Sequence, residues 1–311
     1  MIDVAGAGRL APRTARQLRA RNDLLMDARV TRSLWRRLEA LNAVAYFSPE
    51  CREAPAEIGL KGFWMGYFAC RAAPMGPVGA GVVEATFANF HPDRVKRAIP
   101  DAWSLAEPAG VLTVRWSAAA AALRRLIGAT KVETLSESAC PLLEQAITSG
   151  SPLGRPLFAA NAQLSPPADP VARLWQAATT LREHRGDGHV ALLASAGLDG
   201  CEAHVLQAGV HGTPADLYLQ SRGWSSDDWQ AAIDRLATRG LVDSNGWATE
   251  AGRSELDHIE ARTDELALDA YRFLGDDAVD GLVDLLTEPA RRVTASGELL
   301  FPNPMGLPES D

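Results

Sequence analysis

Residues 213–252, TPADLYLQSRGWSSDDWQAAIDRLATRGLVDSNGWATEAG, limit the fold more than any other stretch of the chain. Thr213 can cap a helix that opens on Pro214 and closes near Gly223. Ser225 or Ser226 caps the next, with Asp227 and Asp228 at the positive end of its dipole. Trp229, Ala232, Ile233 and Leu236 recur at helical spacing, and Gly240 ends that helix. Ser244-Asn245-Gly246 is a hairpin turn between two short apolar segments. Thr249 then caps a long helix carrying Leu256, Ile259, Leu266 and Leu268. Helix, helix, two-stranded wing, helix is the order of a winged helix-turn-helix unit.

Earlier parts of the chain read as mainly helical. Leu34, Trp35, Leu38 and Leu41 share one face, residues 63–71 (FWMGYFACR) form an apolar aromatic run, and residues 109–127 hold five consecutive alanines. Pro74, Gly76, Pro77, Gly79 and Gly81 predict a loop, residues 82–90 are helix or strand, and Pro141 is placed to interrupt a helix over 134–147. Four landmarks then repeat. Leu34-Trp35 is echoed by Leu174-Trp175, and Gly59-Leu60-Lys61-Gly62 by Gly197-Leu198-Asp199-Gly200. Leu126-Ile127-Gly128 is echoed by Phe273-Leu274-Gly275, and Leu157-Phe158 by Leu300-Phe301. Their near-constant displacement predicts an internal duplication. The expected fold class is mainly α, with internally duplicated winged helix-turn-helix domains and a small β wing. The expected units are a variable, basic, disordered arm over 1–30, a degenerate winged-helix-like domain over 31–167 and a winged-helix domain over 168–311. Met26 is an alternative start.

The segments LEALNAVAYFSPE (38–50), GLKGFWMGYFACRAAPMG (59–76), FANFHP (87–92) and LREHRGDGHVALLASAGLDG (181–200), with the wing segment, resemble the SalK-like family of actinobacterial winged-helix proteins. The similarity covers about residues 30–305. It implies the winged-helix fold and a cytoplasmic setting, and no settled activity. Relatives often carry histidine at the position of Asn42, so a site role for that side chain is in doubt here.

Two places could hold chemistry. In Arg182-Glu183-His184-Arg185-Gly186-Asp187-Gly188-His189 the glycines predict a bend. Arg182 and Arg185 could grip a carboxylate or phosphate there, with His184 and His189 as donors. The plainer alternative is that Asp187 caps a helix and Arg185 pairs with Glu183. The second place is the aromatic run with Phe63, Tyr67, Arg71 and Met75, together with Asn89 and His91. Such density is usually core, but Arg71 on an apolar face needs an anion, from Glu50, Glu57 or a ligand. His204 and His211 are ordinary capping or surface residues unless they line a pocket.

The histidine spacing does not suit a helical zinc pair, so no metal is expected. The four cysteines (Cys51, Cys70, Cys140, Cys201) include no CxxC pair and suit a reducing compartment. No serine–histidine–aspartate order, nucleophile elbow or paired carboxylates emerges, so enzymatic activity has little support. The formal net charge of −8 and the acidic start of the reading helix disfavour DNA. No run is apolar enough for a membrane. The leading expectation is a small-molecule binding protein with an anionic, largely apolar ligand, a tetrapyrrole or haem-like molecule being one instance, in a cleft between the repeats. The alternatives are a ligand-responsive, DNA-binding transcriptional regulator acting as a homodimer, and an enzyme with a histidine acid/base.

Overall fold

The computed structural model describes residues 15–309, with side chains from residue 29 onward. The first fourteen residues of the expected basic arm, and the side chain of Met26, lie outside the described residues.

The first half begins with α1 (Ala15–Phe47), α2 (Pro49–Glu57) and α3 (Gly62–Ala72), followed by a 3-10 turn at Ala73–Met75. Three short helices come next: α4 (Ala80–Thr86), α5 (Pro92–Lys96) and α6 (Ala102–Leu105). Then come α7 (Pro108–Ile127), α8 (Ala129–Ser149) and α9 (Pro156–Ala162). The second half comprises α10 (Pro170–Ser195), α11 (Gly200–His211), α12 (Ala215–Arg222), α13 (Ser226–Thr238), α14 (Glu250–Ala267) and α15 (Asp276–Thr294).

Local chemistry sets the helix starts. Asp169 accepts the N–H groups of Val171 and Ala172 at 2.8 and 3.0 Å, with Pro170 at the first position of α10. Capping boxes open α11 (Asp199 with Glu202) and α13 (Ser225 with Asp228), and Thr249 caps α14. Gly223 closes α12 in the left-handed region, at φ 87°.

One core joins α1, α7, α8, α10 and α15 with the C-terminal tail. A second lies among α3 to α7, and a third among α11, α13, α14 and the turn between them. The central helix α10 packs on α1, α7, α8, α9 and α14. The halves are therefore interlocked rather than two beads.

Several expectations change. Gly186 and Gly188 do not bend the chain, because α10 runs unbroken through them. Glycine costs about 1 kcal/mol in a helix, which the burial of α10 among five neighbours outweighs. Gly188 admits Leu266 and Arg155 close to its backbone. Pro141 likewise sits inside an uninterrupted α8. Residues 82–86 are helical, within α4. The wing shrinks to a single antiparallel bridge, Val242 with Ala248. Asp243 explains this: its carboxylate accepts the N–H groups of Asn245 and Trp247, tightening the turn. The Ala248 N–H donates to Gly209 on α11 at 3.2 Å rather than extending a ladder.

Candidate functional site

A cavity lies among α1, α2, α3 and α7 and is closed by α10. It encloses about 660 Å³ including its open mouth. Tyr46, Phe63, Tyr67 and Trp175 form its aromatic walls, Gly66 and Ala118 leave it room, and Arg52 stands at its exposed rim. Tyr46 and Tyr67 meet with ring centroids 5.2 Å apart.

Three guanidiniums, Arg71, Arg115 and Arg182, and two carboxylates, Glu39 and Glu183, are built into or behind this cavity. Arg71 donates to both oxygens of Glu183, at 2.9 and 3.0 Å, and its guanidinium lies 4.1 Å over the Phe87 ring. Arg182 bridges Glu183 at 2.9 Å and Glu39 at 3.0 Å. Burial would push the Glu183 carboxyl up, but Arg182 and Arg71 override it and hold it at about 2. The anion that Arg71 needs is thus Glu183. Glu50 is engaged elsewhere, by Arg125.

Arg115 differs. It comes from the buried face of α7, between Val111, Leu112, Ala118 and Ala119, and is 6% exposed. It donates to the Cys70 carbonyl at 2.7 Å, to Asn161 at 3.2 Å and to Gln176 at 2.7 Å. All three acceptors are neutral. Its Nε has no partner, and no salt bridge reaches it among the described residues. Burial lowers its pKa to about 10, still well above neutrality. A cation thus remains at the back of the cavity without a carboxylate. The sequence reading missed Arg115, although the same signal flagged Arg71: a charge on an apolar helical stripe.

The structure brings Phe63, Tyr67 and Arg71 together and places the other expected site residues elsewhere. Met75 packs in the core of the first half. His91 caps α5 through the Asp93 N–H at 3.1 Å. Arg182 stands behind the cavity as the bridge just described. Arg185 is bound to Asp264 and Glu260 at 3.0 Å each. His184 packs edge-on against Phe158, and burial lowers its pKa to about 3. His189 meets Thr263 at 3.1 Å and, with Asn89, lines a smaller cavity between α10, α11 and α14. Helical geometry explains the dispersal. Consecutive residues on an unbroken helix point about 100° apart, so 182–189 cannot converge as they would around a bend.

Asp187 accepts the Phe158 N–H at 2.9 Å inside the same packing. Burial and the nearby Glu183 raise its pKa to about 7. A folded-state pKa above the ordinary value of about 4 stabilises fully below that value and is lost as pH rises through about 7. Asp187→Asn keeps an acceptor for Phe158. Between about pH 5 and pH 7 it is expected to gain roughly 2 kcal/mol on the parent. Paired urea titrations at the two pH values check this, and parallel pH profiles would refute it.

The helix-turn-helix segment has the shape of a DNA reader, but its arginines are engaged within the chain. Arg235 is bound to Asp199 and Glu202, each at 2.7 Å. Arg239 donates to the carbonyls of Gly197 and Ala196. Arg222 is turned inward, over Phe90 and onto the Pro304 carbonyl. The loop from Asn89 to His91 leans on the α12–α13 turn. The Trp224 indole donates to the Asn89 carbonyl at 3.1 Å, and the His91 N–H donates to the Arg222 carbonyl at 3.0 Å.

No group of three or more histidine, cysteine, aspartate or glutamate side chains among the described residues could hold a metal ion. No helix there is long and apolar enough to cross a membrane. Residues 31–300 match a family model described as a helix-turn-helix family. No curated protein and no solved structure matches the chain.

Proposed function

The chain belongs to that helix-turn-helix family, and on this premise we propose that it binds a small organic anion in the cavity between α1, α2, α3, α7 and α10. Arg115 carries the reading. A buried guanidinium is costly without a counter-charge, and Glu183, the carboxylate that acts on it from a distance, is already bonded to Arg71 and Arg182. A ligand carboxylate against Arg115 would supply the missing charge, while its flat apolar body would lie among Tyr46, Phe63, Tyr67 and Trp175. The chemistry favours an aromatic or polycyclic acid. A haem-like tetrapyrrole suits it less well, because no histidine lines the cavity and burial keeps the Cys51 and Cys70 thiols protonated.

The duplication belongs to the same reading. Three of the four echoed landmarks fall on equivalent elements: α1 and α10, the turns before α3 and α11, and the turns before α8 and α15; Leu157-Phe158 lies in α9, whereas Leu300-Phe301 lies in the irregular tail. Exchanging these pairs, together with α7 and α14, reproduces part of the packing, although α7 packs on α8 and α15 more closely than α14 packs on α15 and α8. α1 packs on α15 as α10 packs on α8, and α3 packs on α7 as α11 packs on α14. This supports two units, 31–167 and 168–311, that trade their last long helices across a pseudo-twofold axis. The cavity sits at their seam, since Trp175, Thr179 and Glu183 come from the second unit.

Thermal-shift and calorimetric titrations with benzoate, 2-naphthoate and indole-3-acetate test the proposal, beside native mass spectrometry of the chain as isolated. At least one acid should stabilise the protein. Arg115→Met should weaken it by about tenfold or more. Arg115→Lys, which keeps the charge and loses the fork, should fall between. No retained or added acid bound, or equal binding by Arg115→Met, would sink it. A second reading, a ligand-responsive regulator, has the family and the α11–α12–α13 order in its favour. A low-salt mobility shift on the gene's own upstream DNA would support it, and no shift would remove it.

A further inference from the structure

We infer that the smaller cavity between α10, α11 and α14 is a second binding site, for a small uncharged molecule that carries both a hydrogen-bond donor and an acceptor, as a primary amide or a purine does. The cavity encloses about 340 Å³ including its mouth. Leu193, Leu198, Leu206 and Leu256 give it apolar walls. Its polar side chains are Asn89, His189, His204, Gln207 and Glu260.

At the closed end stands His204, 1% exposed. Its ring is stacked on Tyr218 with centroids 4.5 Å apart, which holds its orientation. Neither ring nitrogen has a hydrogen-bond partner among the described residues. The Asn89 backbone attracts the ring weakly, without hydrogen-bond geometry. Leaving such a group unsatisfied costs on the order of 1–3 kcal/mol. Burial, with Arg222 nearby, keeps the imidazole uncharged, so it offers one N–H and one lone pair.

At the mouth stand His189 and Glu260, both partly exposed. One oxygen of Glu260 is held by Arg185 at 3.0 Å and Arg32 at 2.8 Å. The other lies 3.8 Å from His189, beyond a hydrogen bond, and remains an acceptor. Glu260 repels an anion, and the adjoining Arg185 and Arg32 repel a cation. An uncharged ligand that reaches a His204 nitrogen and the free Glu260 oxygen gives each a partner. By the duplication proposed above, this cavity corresponds in place to the anion pocket. The inference itself stands on His204 and Glu260 alone.

Ligand-observed NMR on the full chain, with nicotinamide and adenine as probes, tests it. At least one probe should bind at millimolar concentration and move the ring nitrogen resonances of His204 in the unmutated protein. His204→Phe keeps the stacking on Tyr218, removes both nitrogens, and should weaken binding about tenfold or more. Arg115→Met, altered only in the other cavity, should bind the probe as the parent does. Failure of both probes to bind, unmoved His204 resonances, unchanged binding by His204→Phe, or loss of the probe with Arg115→Met would each overturn the second site. The last result would place the probe in the anion pocket without refuting that pocket.

Discussion

Exchanging Glu183 for glutamine is expected to cost the fold about 3–5 kcal/mol. Glu183 is 1% exposed and neutralises two guanidiniums at once, Arg71 through both oxygens and Arg182 through one. The amide retains shape and one acceptor but not the charge. Arg182 would keep Glu39, and Arg71 would be left without a carboxylate in a buried place. Urea unfolding of the variant measures the loss, and Arg71→Met completes a cycle. The two losses should be strongly non-additive, since removing Arg71 leaves less charge for Glu183 to balance. A cost below about 1 kcal/mol, the value of a surface pair, would mean that the network is solvated. Water would then reach Arg115 as well and ease its need for a counter-charge.

Gly252→Ala is expected to destabilise the second half by about 3 kcal/mol. Alanine normally favours a helix by about 1 kcal/mol over glycine, so the ordinary expectation has the opposite sign. Here an added Cβ would lie 2.0 Å from the Leu241 carbonyl oxygen and 3.1 Å from Leu206. That oxygen already accepts the Thr249 N–H at 3.0 Å, so it cannot retreat without breaking the α14 cap region. Relief requires moving α14 away from the turn, which opens the core shared by α11, α13 and α14. Thermal melts should show the loss, and a melting point at or above the parent's would refute it. Gly209 on α11 provides a parallel case, with the Gly246 carbonyl oxygen 2.3 Å from an added Cβ.

The helices around 213–252 were legible because their signals are local. Ser225 and Thr249 cap as their position before apolar runs implies, and Gly223 and Gly240 take positive φ where the helices stop. The wing was over-read for a related reason. Ser244-Asn245-Gly246 marks the turn, but whether a ladder grows from it depends on what the flanking backbone meets, and Ala248 meets α11. Part of the proposed anion pocket was legible in Phe63, Tyr67 and Arg71, which share one helix. Arg115 and Trp175 were not, because they reach the same cavity from helices sixty residues apart in sequence.

By itself, the order of residues determined where α13 and α14 begin, that a helix-turn-helix unit lies over 213–252, and that the reading helix opens on acid; it misplaced the start of α12, which is Ala215 with no cap from Thr213. Those properties follow from interactions within a few residues, which any neighbourhood leaves intact. Tertiary structure alone decided which charges cancel. Glu183 answers Arg71 across 112 positions, Asp264 answers Arg185 across 79, and Arg115 meets only neutral groups. Coulomb energy depends on distance in space and on exclusion of water, and neither is written in sequence spacing.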